Sequence, residues 1–325
     1  MVPDDFDGRE PVGRFPDLTR FRFELRALDI IQFPEYPGST WRGLLGHGLR
    51  QTACVTRQPT CAGCLLTHAC VYSVLFETPP PPGKDIVGFT AMPHPFSLDI
   101  DPAAPRRYLS GDRIDLGVTL FGSAIAQIPY LIHALESAGK RGVGRDGRRF
   151  CMASVHQETG VGTDYWDLVY DAGNGVYLHR PAMPMSLPPA PDRVRLRMYT
   201  PLRIKSHGHF VVPQRFALID LLRNFYNRFR RLASLYGGEP ETFDWAESAE
   251  LVGGLRLDAS DLRWHDWTRY SGRQRTLMQF GGLLGDLTIS GPSLAEIWPV
   301  LWVGQWAHVG KGTSFGLGAY RVEGA

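Results

Sequence analysis

FRFELRALDIIQFPEYPGSTWRGLLGHGLRQT, residues 21–52, carries the two periodicities on which the fold turns. Over residues 21–33, Phe21, Phe23, Leu25 and Ala27 alternate with arginine and glutamate, the period-two pattern of a strand with one face in the core. PEYPGS is turn chemistry. From Thr40 to Thr52 the apolar residues recur at helical spacing, and Ser39 stands where an N-cap belongs. The opening unit is therefore strand, turn, helix.

The helix runs straight into Cys54, Cys61, Cys64 and Cys70, spaced C-x6-C-x2-C-x5-C in a chain that has only one other cysteine, Cys151. Thiols at that density predict a tetrahedral metal site, structural Zn2+ before an iron–sulfur cluster, with His68 as a substitute ligand. Disulfides and unpaired core thiols are the other readings. The stretch MVPDDFDGREPVGRF has acidic residues and no apolar h-region, and no run reaches the roughly eighteen apolar residues of a membrane span. The expectation is a cytoplasmic protein without a membrane segment, in a compartment where disulfides do not persist. Cys151, in RRFCMASV, reads as a buried strand residue.

Farther along, residues 77–95 hold PPPP and PHP and read as an extended loop. Strands are expected in PFSLDI and RIDLGVTLF, a helix over 123–140 that Pro129 must kink or confine to its first turn, and a strand in RRFCMASVHQ. That order suits a ferredoxin-like or RRM-like unit, a sheet carrying two helices on one face. Residues 180–192, RPAMPMSLPPAPD, contain five prolines and read as a linker. Beyond them RVRLRMYTPLRI is a strand. In PQRFALIDLLRNFYNRFRRLASLYGG, Leu218, Leu221, Leu222, Phe225, Phe229 and Leu232 form the stripe of a long helix. A helix near Leu294 to Leu301 and a strand Ala319 to Val322 complete a rougher second unit. The chain's 325 residues are enough for two domains of about 150 residues each.

A net charge of +2 does not announce a nucleic-acid binder. The cations are nearly all arginines, which suit phosphate because the planar fork makes two bonds at once, although a GC-rich genome gives the same bias. GVGRDG, at Gly142, Gly144 and Gly147, matches the dinucleotide fingerprint, but a helix precedes it and a strand follows, the reverse of what that loop needs. HVGKGTSFGLGAYRV places Gly310, Gly312, Gly316 and Gly318 around Lys311. It is either an anion-binding concavity of backbone N–H groups or a hairpin loop that needs positive φ.

WRGLLGHGLR, the cysteine spacing, LFGSAIAQIPYLIHAL, GVGRDGRRF and GKGTSFGLG occur in that order. Over Phe21 to Val322 the chain thereby resembles the CRISPR precursor-RNA processing endoribonucleases of the RAMP superfamily, in the branch with a cysteine cluster. The resemblance implies a fold class of α+β with two tandem ferredoxin-like (RRM-like) domains, the first carrying a cysteine metal-binding insertion at about 54–70. The domains are 1–179 and 193–325, joined by the linker 180–192. It further implies binding of CRISPR repeat RNA, maturation of crRNA, and cleavage without a catalytic metal, by 2′-OH attack that leaves a 2′,3′-cyclic phosphate and a 5′-OH. The alternative is a non-catalytic RAMP-type subunit that holds guide RNA among other CRISPR effector subunits. A zinc-ribbon DNA regulator fits less well, because no recognition helix follows the cysteines.

Such a reaction needs proton transfers, which suit histidine, and a cation for the phosphorane. On the helical wheel His47 lies beside Gly43, Arg50 and Gln51, away from the apolar face, with two glycines leaving room for a backbone. The resemblance maps the family's catalytic histidine to His47, a tyrosine of some members to Tyr36, and leaves Arg50 in place of their lysine. Expected RNA contacts are Arg42, Arg215, Arg223, His207, His209, Gly310, Lys311, Gly312, Gly316 and Gly318, with Arg230 and Arg231 on the same helix as Arg223. His308 would orient the glycine loop. Arg269, Ser271 and Gln274 form a polar group without an assigned role.

Overall fold

The computed structural model describes residues 15–81, 92–183, 185–237, 252–271 and 276–324. The N-terminal stretch 1–14, most of the proline-rich loop and Gln274 lie outside them. β1 (Leu18–Ala27) is the centre of an antiparallel sheet because both of its edges are paired, which its inward Phe21, Phe23 and Leu25 require. β2 (Phe96–Asp99) lies beside β3 (Arg113–Phe121), β3 beside β1, β1 beside β4 (Phe150–Glu158), and β4 beside β5 (Trp166–Asp171). Phe23 faces Leu116 on one side and Val155 on the other.

Helix α1 (Gly38–Ala53) joins β1 to β2, and α2 (Ile128–Arg141) joins β3 to β4. The β1-α1-β2-β3-α2-β4 succession with sheet order 2-3-1-4 is the split βαβ arrangement. The two helices approach closely at Gly48, where a side chain would collide with the Ala134 carbonyl. Ser39 does not cap α1: Pro37 occupies the cap position and Ser39 lies in the first turn. Pro129 sits in the first turn of α2, where a missing N–H has no partner to lose, and Gly122–Gln127 form a separate 3-10 turn ahead of it. GVGRDG is the turn between α2 and β4, closed by the Val143 and Arg148 backbone pair.

The second unit repeats the succession. β6 (Arg193–Leu202) leads into a short hairpin, β7 (Lys205–Ser206) and β8 (His209–Phe210), then into α3 (Leu218–Tyr236). β9 (Arg256–Asp258) and β10 (Arg263–His265) both pair with β11 (Gly282–Ser290), and α4 (Leu294–Ala307) leads to β12 (Tyr320–Gly324). The sheet order is β9-β11-β6-β12. The helix α4 is apolar almost all round and is buried accordingly. Its neighbour α3 presents the expected leucine and phenylalanine stripe.

The two cores interlock. Trp267, Phe280 and Leu317 complete the first core, while Leu18 and Phe121 belong to the second. On β2, Asp99 accepts a hydrogen bond from Tyr199 (3.1 Å) and an ion pair from Arg321 (3.4 Å), with Arg20 at 3.8 Å. Burial alone would raise the Asp99 pKa, but Arg321, Arg20 and the Tyr199 hydrogen bond hold it below the usual carboxylate value.

The fold is α+β with several sheets, and the expected cysteine metal-binding insertion is not part of it. Among the described residues no group of three or more His, Cys, Asp or Glu side chains is arranged to hold a metal ion. The expectation of a structural zinc or iron–sulfur centre at Cys54, Cys61, Cys64 and Cys70 is therefore withdrawn. All four are free, half-buried thiols. The Thr56 hydroxyl lies within 3.5 Å of the Cys64 sulfur and 3.8 Å of the Cys54 sulfur, between two of the would-be ligands. Protein groups hold the segment: Arg50 donates to the Gln58 and Pro59 carbonyls (2.6 and 2.7 Å), and Thr67 to the Cys61 carbonyl (3.2 Å). Cys151 is on β4 as expected but exposed, opposite Arg26, on the outward phase of the strand. No helix of the described residues is long and apolar enough to cross a membrane.

Candidate nucleic-acid interface

Between α4 and β12 the chain turns through Gly310, Gly312, Gly316 and Gly318, at φ of 86°, 86°, 84° and 71°. Side chains other than glycine rarely adopt that region. At Gly318 there is also no room, since a Cβ would strike the Val309 carbonyl. Backbone bonds fix the loop to the end of β6: the Lys311 N–H donates to Arg203 O (2.8 Å) and the Gly318 N–H to Pro201 O (3.0 Å). The Thr200 hydroxyl donates to Gly316 O (2.8 Å).

A cleft of about 320 Å3 opens between this loop and α3, lined by Lys311, Arg228, Arg231, His94, Asn224 and Asn227 and, among the described residues, by no acidic side chain. Partial burial, then Arg231 and Lys205, push the Lys311 ammonium below its ordinary pKa. Burial and Arg230 do the same to Arg231. Arg228 is wholly buried and pushed down to about 10; its Nε donates to Ala307 O (2.9 Å). Cations whose pKa values fall mainly because burial strips their hydration are relieved by an anion.

From α1, Arg42 reaches two residues of the cleft's lining. Arg42 donates from Nε to the Ser314 hydroxyl (3.2 Å) and from a terminal nitrogen to His94 Nε2 (3.2 Å). Its guanidinium lies over the rings of Phe76 (5.3 Å) and Phe315 (4.7 Å). Burial, then Arg42 and Arg228, push His94 down to about 3, so it is a neutral acceptor. His47 is exposed five residues farther along α1, about 7.5 Å along the axis and about 140° round it from Arg42 at the usual helical geometry. Beside it Gly43 leaves open space.

The remaining site residues fall into two groups. Tyr36 is buried, donates to Phe315 O (2.9 Å), and is raised far above a tyrosine's ordinary pKa by burial and by Asp99. It ties α1 to the glycine loop. Arg50 faces the cysteine segment instead, bonded to the carbonyls named above. His207 and His209 are exposed at the β7–β8 hairpin, His207 with φ 48°. Arg215 and Arg230 are exposed and Arg223 half-buried, and of the helix arginines Arg231 and Arg228 line the cleft. His308 is buried at the end of α4, pushed down to about 3 by burial.

Sequence reasoning missed His94, Asn224, Asn227 and Arg228. Arg228 carried a signal, an arginine within the apolar stripe between Phe225 and Leu232. His94 carried a weaker one, a histidine between two prolines ahead of a strand.

Residues 15–182 match the family model AF_1859_N, an N-terminal domain, and residues 196–320 match that of the CRISPR-associated endoribonuclease Cas6. The first spans more than half of the chain, and the chain belongs to that family. The C-terminal residues 196–320 are thus similar to Cas6, and the fold of the chain is one that solved Cas6 structures share. Among solved structures a Cas6 product complex is similar at 16% identity and TM-score 0.54, over 95% of this chain and 100% of that one. Thermus thermophilus Cas6 is similar at 15% identity and TM-score 0.50, over 96% and 100%. A partial Cas6-RT-Cas1–Cas2 complex aligns at 15% identity and TM-score 0.54, over 96% of this chain and 47% of that one. No curated protein matches the chain. Nothing in these matches singles out a cysteine-containing branch, and that expectation is withdrawn with the metal.

Proposed function

We propose that the chain is an endoribonuclease that cuts CRISPR repeat RNA and so matures crRNA, reading 1–179 and 193–325 as its two RNA-gripping units. The observation that carries this is the cationic cleft at the glycine loop, which has no acidic lining among the described residues, together with an exposed histidine on α1, the helix whose Arg42 reaches that loop. The diester lies against the turn at residues 312–314 of the loop, Lys311 and Arg231. His47 takes the 2′-OH proton as O2′ bonds to phosphorus; the bond to O5′ then breaks, and O5′ gains a proton from the imidazolium or from water. Arg42 and Lys311 balance the charge that develops on the phosphorane, each such donor contributing about 10²–10³ in rate. The proton transfers and charge balance are assigned to protein groups, so the reading is metal-independent cleavage giving a 2′,3′-cyclic phosphate and a 5′-OH. Association with other CRISPR subunits belongs to the same reading, since the partial complex above contains a Cas6 portion of this fold.

The test is repeat RNA in excess chelator, alongside the same RNA carrying a 2′-deoxyribose at the cut. The first is expected to be cut once with a cyclic-phosphate end, and the second to bind and stay whole. RNA that binds but is never cut favours the guide-holding subunit instead; RNA that does not bind overturns both. Lys311→Ala and Arg231→Ala should each weaken binding to all RNA sequences and reduce the salt slope by about one.

A further inference from the structure

A ladder of cations and rings crosses the junction between the two units. Arg42 lies over Phe76 and Phe315, the Phe315 and Phe280 rings are 5.8 Å apart, and Arg203 lies 4.7 Å from both Phe280 and Phe210. The Lys205 ammonium is 4.9 Å from Phe210. Packing explains Phe76 and Phe280, which are buried. It does not explain Phe210, which is 37% exposed on β8 between two cations. The hairpin that carries Phe210 is bolted to the anion cleft: Arg203 O accepts the Lys311 N–H, and the cleft residue Asn224 donates to Lys205 O (3.4 Å).

We propose that Phe210 is a stacking platform for an unpaired nucleobase next to the phosphate held by the glycine loop, with Lys205 and Arg203 on the flanking phosphates. The inference rests on the RNA reading above and adds strandedness to it: the RNA is single-stranded where it passes the β7–β8 hairpin. A ring between cations beside a phosphate site matches the alternation of base and phosphate along a strand, whereas a duplex keeps its bases inside. Lys205 is exposed, and its hydrated ammonium gives up a weak ring contact for a phosphate when a base arrives.

The experiment measures the affinity of wild type, Phe210→Ala and Phe210→Trp for repeat RNA in which one abasic nucleotide is walked through the unpaired flanks. Wild type should lose about 5- to 150-fold in affinity at one flank position. Phe210→Ala should lose as much with intact RNA and become indifferent to that abasic site, and Phe210→Trp should restore both affinity and sensitivity. Phe210→Ala binding every probe like wild type, or keeping the abasic penalty, overturns the proposal and leaves the RNA reading standing. Wild type that binds no RNA overturns both.

Discussion

His94 and His308 are neutral imidazoles, each pushed down to about 3 chiefly by burial, His94 also by Arg42 and Arg228. An unfolded chain would protonate them near their ordinary pKa, so the folded state binds fewer protons than the unfolded state between about 6.5 and 3. Stability is therefore present above that window and falls as the pH is lowered through it, by at most about 1.4 kcal/mol per pH unit for each histidine. Urea midpoints should drop between pH 7 and 4.5, and His308→Gln should flatten the profile; a flat wild-type profile would contradict the assignment. At this scale the sequence was partly legible. It showed that His47 lies off the apolar face of its helix, but it could not show that the Tyr36 hydroxyl and the Arg50 guanidinium bond to carbonyls. Those partners are set by Phe315, far along the chain, and by the turn of the cysteine segment.

Secondary structure was easier to read, because periodicity is local. The stripe of α3 gives that helix almost as expected, and the alternation over residues 21–27 gives β1, but the strand expected as far as residue 33 stops at Ala27 and the chain bends at Leu28 and Asp29. Ser39, a good cap by composition, loses its place to Pro37. The cysteine segment failed for a different reason. Spacing says that four thiols are near one another in the chain; it does not say that their sulfurs converge, and the Thr56 hydroxyl stands between two of them. Two glycines make element-level predictions. Gly48→Val drives a side chain into the Ala134 carbonyl and should cost about 1–3 kcal/mol in denaturant-measured stability. Gly316→Ala puts a Cβ at positive φ, 2.7 Å from the Tyr36 hydroxyl, and should weaken RNA binding by distorting the loop. Unchanged affinity would separate the loop's shape from its role.

Across the whole molecule, the candidate site exists only where the two units meet. Arg42 and Tyr36 come from the first, Ser314 and Phe315 from the second, and the linear sequence gives the order of elements in each unit without the angle between them. Asp99 is a main fastening of that angle, joined to Tyr199 and Arg321 across the junction. Asp99→Asn should cost on the order of 1–3 kcal/mol and slow RNA cleavage more than it weakens binding, since it loosens alignment without removing a cation. Because its carboxyl is held below the usual value, the Asp99 contribution is present above its unfolded pKa of about 4 and is lost as the pH falls through its lower folded value, starting at the acid end of the histidine window.

The single-turnover cleavage rate of repeat RNA by wild type and His47→Ala, each at saturating protein in excess chelator, probes the centre of the account. Wild type should cut once, while the variant keeps its RNA affinity and slows by about 10²–10⁴. A variant that cuts as fast as wild type would show that the exposed imidazole on α1 is not the base.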